Sequence, residues 1–233
     1  MQTNLDTAKK DLLRSLAKTI GSRSVIDAMQ RVPREKFIPS VSRHKAYLDI
    51  ALPIGEHQTI SQPYMVALMI QALGLTGCEK VLEVGTGSGY QAAILSLMVP
   101  QGTVVTVERI HSLARRAEIL LTDLGHCNVE VRCAGPALGC LELAPFDAII
   151  VAAAAPKLPE SLVGQLAVGG RLLAPVGPRS EQQLIKASYT EGGLAFQALG
   201  LCRFVPIIGE QAFSEGSLLS DYPGIGSVCR EMD

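Results

Sequence analysis

Val81-Leu82-Glu83-Val84-Gly85-Thr86-Gly87-Ser88-Gly89 is the stretch on which the reading of this chain turns. An apolar run carries an acid, glycines follow at alternate positions, and a second apolar run extends from Tyr90 to Met98. That is the pattern of a buried parallel strand, a tight turn and the start of a helix. Glycines at such a turn let the backbone bend sharply and let a ligand approach where a Cβ would stand. The spacing is G-x-G-x-G, not the G-x-G-x-x-G of dinucleotide-binding turns. Glu83 falls at the carboxyl end of the strand, where a carboxylate repels a pyrophosphate and attracts a cationic ligand. S-adenosylmethionine carries a sulfonium, an ammonium and no phosphate, so it suits this turn. Glu83, Gly85, Thr86, Gly87, Ser88 and Gly89 are therefore its candidate cradle. A glycine turn without a ligand is the alternative, because glycine density alone is not specific.

Outward from this stretch, strands and helices alternate. Strands are expected at 80–84, 103–107, 129–132, 146–152 and 170–174, with helices at 63–73, 88–98, 110–124 and 159–167. Near-continuous apolar strands such as Ala148-Ile149-Ile150-Val151 predict an α/β fold: a doubly wound, mostly parallel, Rossmann-like sheet covered on both faces. Two further β-like runs, 182–189 and 194–204, flank Thr190-Glu191-Gly192-Gly193, so the sheet should end in antiparallel strands. Upstream, residues 4–20 have helical periodicity, with Asn4 as a possible N-cap and Gly21 as the stop. A short helix follows at 24–31, then a proline-bounded, extended segment at 32–39. Residues 50–62 read as a loop leading into a helix that begins at Pro63, with Ser61 in its N-cap region. The expected division is a helical N-terminal appendage (1–49), a main domain (50–209) and a C-terminal tail (210–233).

Composition narrows the function. Hydrophobic residues are 48% and charged residues 18%, which favours a sizeable core over disorder. A net charge of −1 and 4% aromatics without tryptophan argue against a nucleic-acid partner. The six cysteines form no C-x-x-C pair and lie near no histidine cluster, so no metal site is expected and free thiols are. The N-terminus lacks a signal pattern, and the longest apolar run, 148–156, is short of the roughly 20 residues that span a bilayer. A cytoplasmic protein without a membrane partner is expected.

Glu108 ends the second apolar strand, about 20 residues beyond the glycine turn, where an acid in nucleotide-binding sheets bonds ribose hydroxyls. A surface glutamate beside Arg109 is the alternative.

Glu83-Val84-Gly85-Thr86-Gly87-Ser88-Gly89-Tyr90-Gln91 resembles the first motif of the protein-L-isoaspartate O-methyltransferases. Gln58-Thr59-Ile60-Ser61-Gln62-Pro63-Tyr64 resembles that family's signature loop, and it is the more specific match. Phe146-Asp147-Ala148-Ile149-Ile150-Val151, Gly169-Gly170-Arg171-Leu172 and Arg203-Phe204-Val205-Pro206 extend the similarity over about 25–209. The resemblance implies methyl transfer from S-adenosylmethionine to the free carboxylate of L-isoaspartyl residues in damaged proteins and peptides. S-adenosylhomocysteine is the product, and the ester collapses to a succinimide on the way to repair.

By the same resemblance Ser61 is the catalytic residue, holding the acceptor carboxylate, with a plain helix cap as its other reading. Arg109, Ala134 and Gly135 join the cofactor set; His57, Gln58, Thr59, Ile60, Arg203 and Val205 become substrate-groove candidates. Two positions depart from the family. Ala134-Gly135-Pro136 stands where it usually has Gly-Asp-Gly, and His57 stands where it tends to have glycine. The first departure keeps an alternative open: a diverged carboxylate O-methyltransferase with one dedicated peptide or protein partner.

Overall fold

The computed structural model describes residues 2–190, 192–208 and 213. The chain runs α1 (Gln2–Leu16), α2 (Arg23–Arg31), β1 (Leu52–Gly55), β2 (Gln58–Ile60), α3 (Pro63–Leu73), β3 (Lys80–Val84), α4 (Tyr90–Met98) and β4 (Thr103–Glu108). It continues through α5 (His111–Asp123), β5 (Val129–Cys133), β6 (Phe146–Val151), α6 (Glu160–Val163), β7 (Leu166–Val176), β8 (Gln182–Thr190) and β9 (Gly193–Cys202). One sheet holds seven strands in the order β5-β4-β3-β6-β7-β8-β9. Strands β3 to β7 pair in parallel, and β8 and β9 close the sheet antiparallel. Strand order reverses at β3, between β4 and β6. In open α/β sheets the crevice beyond such a switch point is where ligands bind.

The apolar strand sequences set the layers. Val81, Val104, Ala148 and Ile150 face one side, where Met69, Ile70, Leu73, Ile94, Leu95, Leu113 and Leu121 from α3, α4 and α5 cover them. Leu82, Val84, Val105, Val107, Ile149 and Val151 face the other, under Leu138, Leu143, Leu158 and Leu162. The second cover is thinner, since the helix expected over 159–167 is only the single turn α6. The chain leaves it because Leu166 already pairs with Phe146, and Gln165 is buried with its side chain bonded to Cys140 N, Leu138 O and Ser161 O.

The N-terminal stretch differs from its reading in two places. α1 begins upstream of Asn4 and ends at Leu16, so Asn4 is not its cap. Residues Arg34–Phe37 form a 3-10 turn in place of the extended segment. The turn aims Arg34 and Phe37 inward: Phe37 meets the Tyr90 ring edge-on at 5.6 Å, and the Arg34 guanidinium lies 4.9 Å from its centroid. Leu12, Leu16, Val25 and Met29 share the core with α3 and α4.

Asn128 stitches the rim between α4 and β5. Its side-chain amide reaches Ser96 O (3.1 Å), Val99 O (2.9 Å) and Gly102 O (3.4 Å). The tail expected over 210–233 lies outside the described residues, Phe213 excepted. Among the described residues no helix is long and apolar enough to cross a membrane, and no group of His, Cys, Asp or Glu could hold a metal ion.

Candidate active site

β3 delivers its glycine turn to the switch point. Gly85 N and Thr86 N both donate to Val107 O, at 2.9 and 3.2 Å, which folds the turn against the end of β4. Gly85 and Gly89 both have positive φ (97° and 86°), the region L side chains avoid. A Cβ on Gly89 would also stand 3.2 Å from Ala117 Cβ and Leu121 Cδ1, so glycine lets α4 start flush against α5. Ser88 Oγ accepts from Tyr90 N at 3.3 Å and serves the start of that helix.

The two acids play different parts. Glu83 has no exposure to solvent. Its Oε2 accepts from Thr106 Oγ1 at 2.6 Å, and that hydroxyl is 2.6 Å from Thr86 Oγ1. Oε1 has no partner. Burial pushes the Glu83 carboxyl up to about 8 against the Thr106 hydrogen bond, with the nearby Glu108 charge adding to the rise. Burial beneath the turn thus favours the neutral form of the Glu83 carboxyl, where the sequence position had suggested an anion.

Glu108 braces the turn: Oε2 accepts from Gly87 N at 2.8 Å and Oε1 from Ile110 N at 2.9 Å. Its own carbonyl accepts from Ala134 N at 2.8 Å, so one residue ties the glycine turn, the start of α5 and the 134–136 loop together. Arg109, beside it, is exposed.

The loop carrying Ala134 and Gly135 is exposed and borders a cavity of about 320 Å³ lined in part by Val107, Cys133, Pro136, Cys140 and Glu142. A Cβ at Gly135 would meet nothing within 4 Å. The backbone there leaves room for a Cβ.

Residues 50–62 are not a plain loop: β1 and β2 form an antiparallel hairpin, Leu52 opposite Ile60 and Gly55 opposite Gln58. Glu56 and His57 fill its two-residue turn with φ of 54° and 55°. Both central residues of a type I′ turn need positive φ, a conformation that favours glycine over a residue such as His57. The turn escaped notice because neither residue is Asn or Gly. Glu56 Oε1 accepts from Ser112 Oγ at 2.7 Å, Arg116 Nη2 donates to Ile54 O at 3.4 Å, and Ile54 Cδ1 would lie 3.6 Å from a Cβ on Gly87. The hairpin thus lies on α5 beside the glycine turn and carries Gln58, Thr59 and Ser61 to the carboxyl edge of the sheet.

Ile60 is buried in the core, which leaves only its backbone for a ligand. Ser61 is half-buried, makes no hydrogen bond from its side chain among the described residues, and does not cap α3. The N-cap is Gln62, whose side chain makes no capping hydrogen bond. The capping is done by Asp49, which accepts from Tyr64 N (2.8 Å) and from Gln62 Nε2 (3.0 Å). Asp49 and Thr106 are the polar partners the sequence reading missed. Thr106, a hydroxyl between the apolar Val105 and Val107 of a buried strand, opposite Glu83, was the available signal.

After β9 the chain crosses the end of β6, where Ala154 N donates to Val205 O at 2.7 Å. Ala152 on the same edge lies 3.5 Å from a Cβ on Gly85, which brings the 203–207 segment to the site's rim. Arg203 is exposed. No hydrogen bond joins residues 57–61 to Arg203 or Val205 among the described residues.

The model of the family "Protein-L-isoaspartate(D-aspartate) O-methyltransferase (PCMT)" matches residues 7–212. "Protein-L-isoaspartate O-methyltransferase 2" of Geotalea uraniireducens is 50% identical over 214 residues, 91% of this chain and 98% of its own. Among solved structures, a protein-L-isoaspartate O-methyltransferase superposes with a TM-score of 0.79 at 31% identity, over 87% of this chain and 66% of that longer one. A Plasmodium falciparum protein, described as a putative protein-L-isoaspartate O-methyltransferase in complex with S-adenosyl-L-homocysteine, gives 0.72 at 27% identity, over 84% and 96%. The match runs through the glycine turn, the Ser61 hairpin and the segment crossing β6, and the chain belongs to the protein-L-isoaspartate O-methyltransferase family.

Proposed function

We propose that this protein transfers a methyl group from S-adenosylmethionine to the free carboxylate of L-isoaspartyl residues in damaged proteins and peptides, initiating repair through a succinimide. The observation that carries the reading is Ser61: a hydroxyl freed from capping duty, on the hairpin that lies beside the glycine turn. An acceptor carboxylate is ionised at pH 7 and is itself the nucleophile, so no general base is required. What remains is to hold the acceptor oxygen in line and keep water out.

The residues present fit the cofactor. Glu83 offers a buried oxygen without a partner among the described residues, Glu108 keeps lone pairs beyond those used by Gly87 and Ile110, and the turn sets no phosphate-binding pattern. When bound, S-adenosylmethionine supplies the electrophilic methyl group. Glu108 would hold ribose hydroxyls, the Gly85–Gly89 backbone would take the methionine part, and Ala134, Gly135 and Arg109 would border the adenine. Ser61 donates to the acceptor carboxylate. His57, Gln58, Thr59, the Ile60 backbone, Arg203 and Val205 line the peptide groove. The free thiols suit a reducing cytoplasm.

The test is methyl transfer from labelled S-adenosylmethionine to two peptides that differ only in aspartyl or isoaspartyl linkage. Base-labile label on the isoaspartyl peptide alone is expected, and Ser61→Ala should abolish it while S-adenosylhomocysteine still binds. Label on neither peptide, with the cofactor bound, would overturn the repair reading in favour of a dedicated partner substrate.

A further inference from the structure

We infer that Asp49 is a positioning residue for methyl transfer: its carboxylate, on a strap fixed by Arg34, sets the corner that aims the Ser61 hydroxyl at the acceptor. The inference rests on the role given to Ser61 above.

Ser61 stands between two anchors. On one side Ile60 is buried in the core and paired with Leu52 in the hairpin. On the other, Pro63 has no N–H, and Tyr64 N is the first orphan donor of α3. Asp49 Oδ1 takes it, 15 residues away in sequence, while Oδ2 holds the Gln62 amide. The Gln62 side chain and the first N–H of the helix are thus held by one carboxylate. A side chain from the helix's own cap would settle the helix alone; a carboxylate from elsewhere also fixes where the corner sits.

Asp49 itself is exposed, so its hold is only as firm as the strap that bears it. That strap is fixed from beneath. Arg34 is fully buried, donates from Nε to Ala46 O at 2.9 Å and from Nη2 to Ile50 O at 3.4 Å, and lies on the Tyr90 ring. The two carbonyls flank Asp49, and Tyr90 follows Gly89 directly. One guanidinium therefore registers the Ser61 corner against the helix that starts at the cofactor turn.

Asp49→Ala, Asp49→Asn and Gln62→Ala are compared with the wild type in steady-state methylation of the isoaspartyl peptide, with S-adenosylhomocysteine affinity and melting temperature measured alongside. An Asn there still accepts from Tyr64 N and, once the Gln62 amide turns over, donates to it. Asp49→Ala should lower kcat by about 10- to 100-fold, as small misplacements of reacting groups do, with cofactor affinity unchanged. Asp49→Asn should recover most of the loss. Wild-type kcat in folded Asp49→Ala overturns the inference whatever its melting temperature, since a cap alone moves only the melt. Should Asp49→Ala fail to fold, Gln62→Ala decides, because it leaves the cap in place: wild-type kcat there overturns the inference and a reduced one upholds it. Amide exchange at Ser61 and Tyr64 needs no activity. Faster exchange is expected in Asp49→Ala, and unchanged exchange there overturns the inference even if the wild type methylates neither peptide, a result that would count against the proposed function instead.

Discussion

A carboxyl group without access to water ionises only at the expense of the fold, and Glu83 is such a group. Its folded-state value of about 8 lies well above the ordinary carboxylate range. Between the two, the unfolded chain has released its proton while the folded chain keeps it, so stability falls as pH rises. The slope reaches about 1.4 kcal/mol per pH unit at its steepest. Glu83→Gln keeps an acceptor for Thr106 and removes the titration. The wild type should therefore lose stability to urea between pH 5 and pH 8 relative to Glu83→Gln, and parallel profiles would place the ionisation elsewhere. The acid and its strand-end position were legible in the sequence. Its charge state was not, because that depends on Thr106 and Thr86, which pack over it from other points in the chain.

Elements punctuated locally were read well. α3 came out at its observed residues because Pro63 opens it and Gly74, at a φ of 60°, closes it. The β1–β2 hairpin did not, since its turn uses Glu56 and His57 in a conformation that costs an L residue about 1–2 kcal/mol. The contacts of Glu56 with Ser112 and of Arg116 with Ile54 hold the turn, and both are tertiary. Position 57 has no such fastening in its backbone, so His57→Gly relieves the strain and loses only the smaller entropy advantage of a side chain in the unfolded chain. A gain of about 0.5–1 kcal/mol in urea unfolding is expected. A loss would show that the imidazole itself holds the hairpin. α6 failed for the opposite reason: strand pairing at Leu166 overrode a helical periodicity.

For the molecule as a whole, the parallel sheet and its antiparallel end were legible in the alternation of apolar strands and helices, while the order of strands came only with the structure. The switch point beside β3 makes the glycine turn a junction of β3, β4, α5 and the hairpin, so binding of a ligand there should be felt globally. At 100 times its dissociation constant S-adenosylhomocysteine should add about 2.7 kcal/mol, or roughly 5–10 °C in melting temperature. Glu108→Ala should shrink that shift at equal ligand concentration, and an undiminished shift would remove Glu108 from the site. The rim stitched by Asn128 has a consequence in another currency, chemical age. Asparagine deamidates when the next residue's backbone nitrogen swings onto the side-chain carbonyl carbon and closes a five-membered ring. Here that nitrogen, of β-branched Val129, donates to His126 O at 3.3 Å, and the Asn128 amide is engaged on the carbonyls of the α4–β4 connection. Besides Asn4 in α1 this is the chain's single asparagine, and the fold holds it away from the ring closure by which stored proteins acquire isoaspartate.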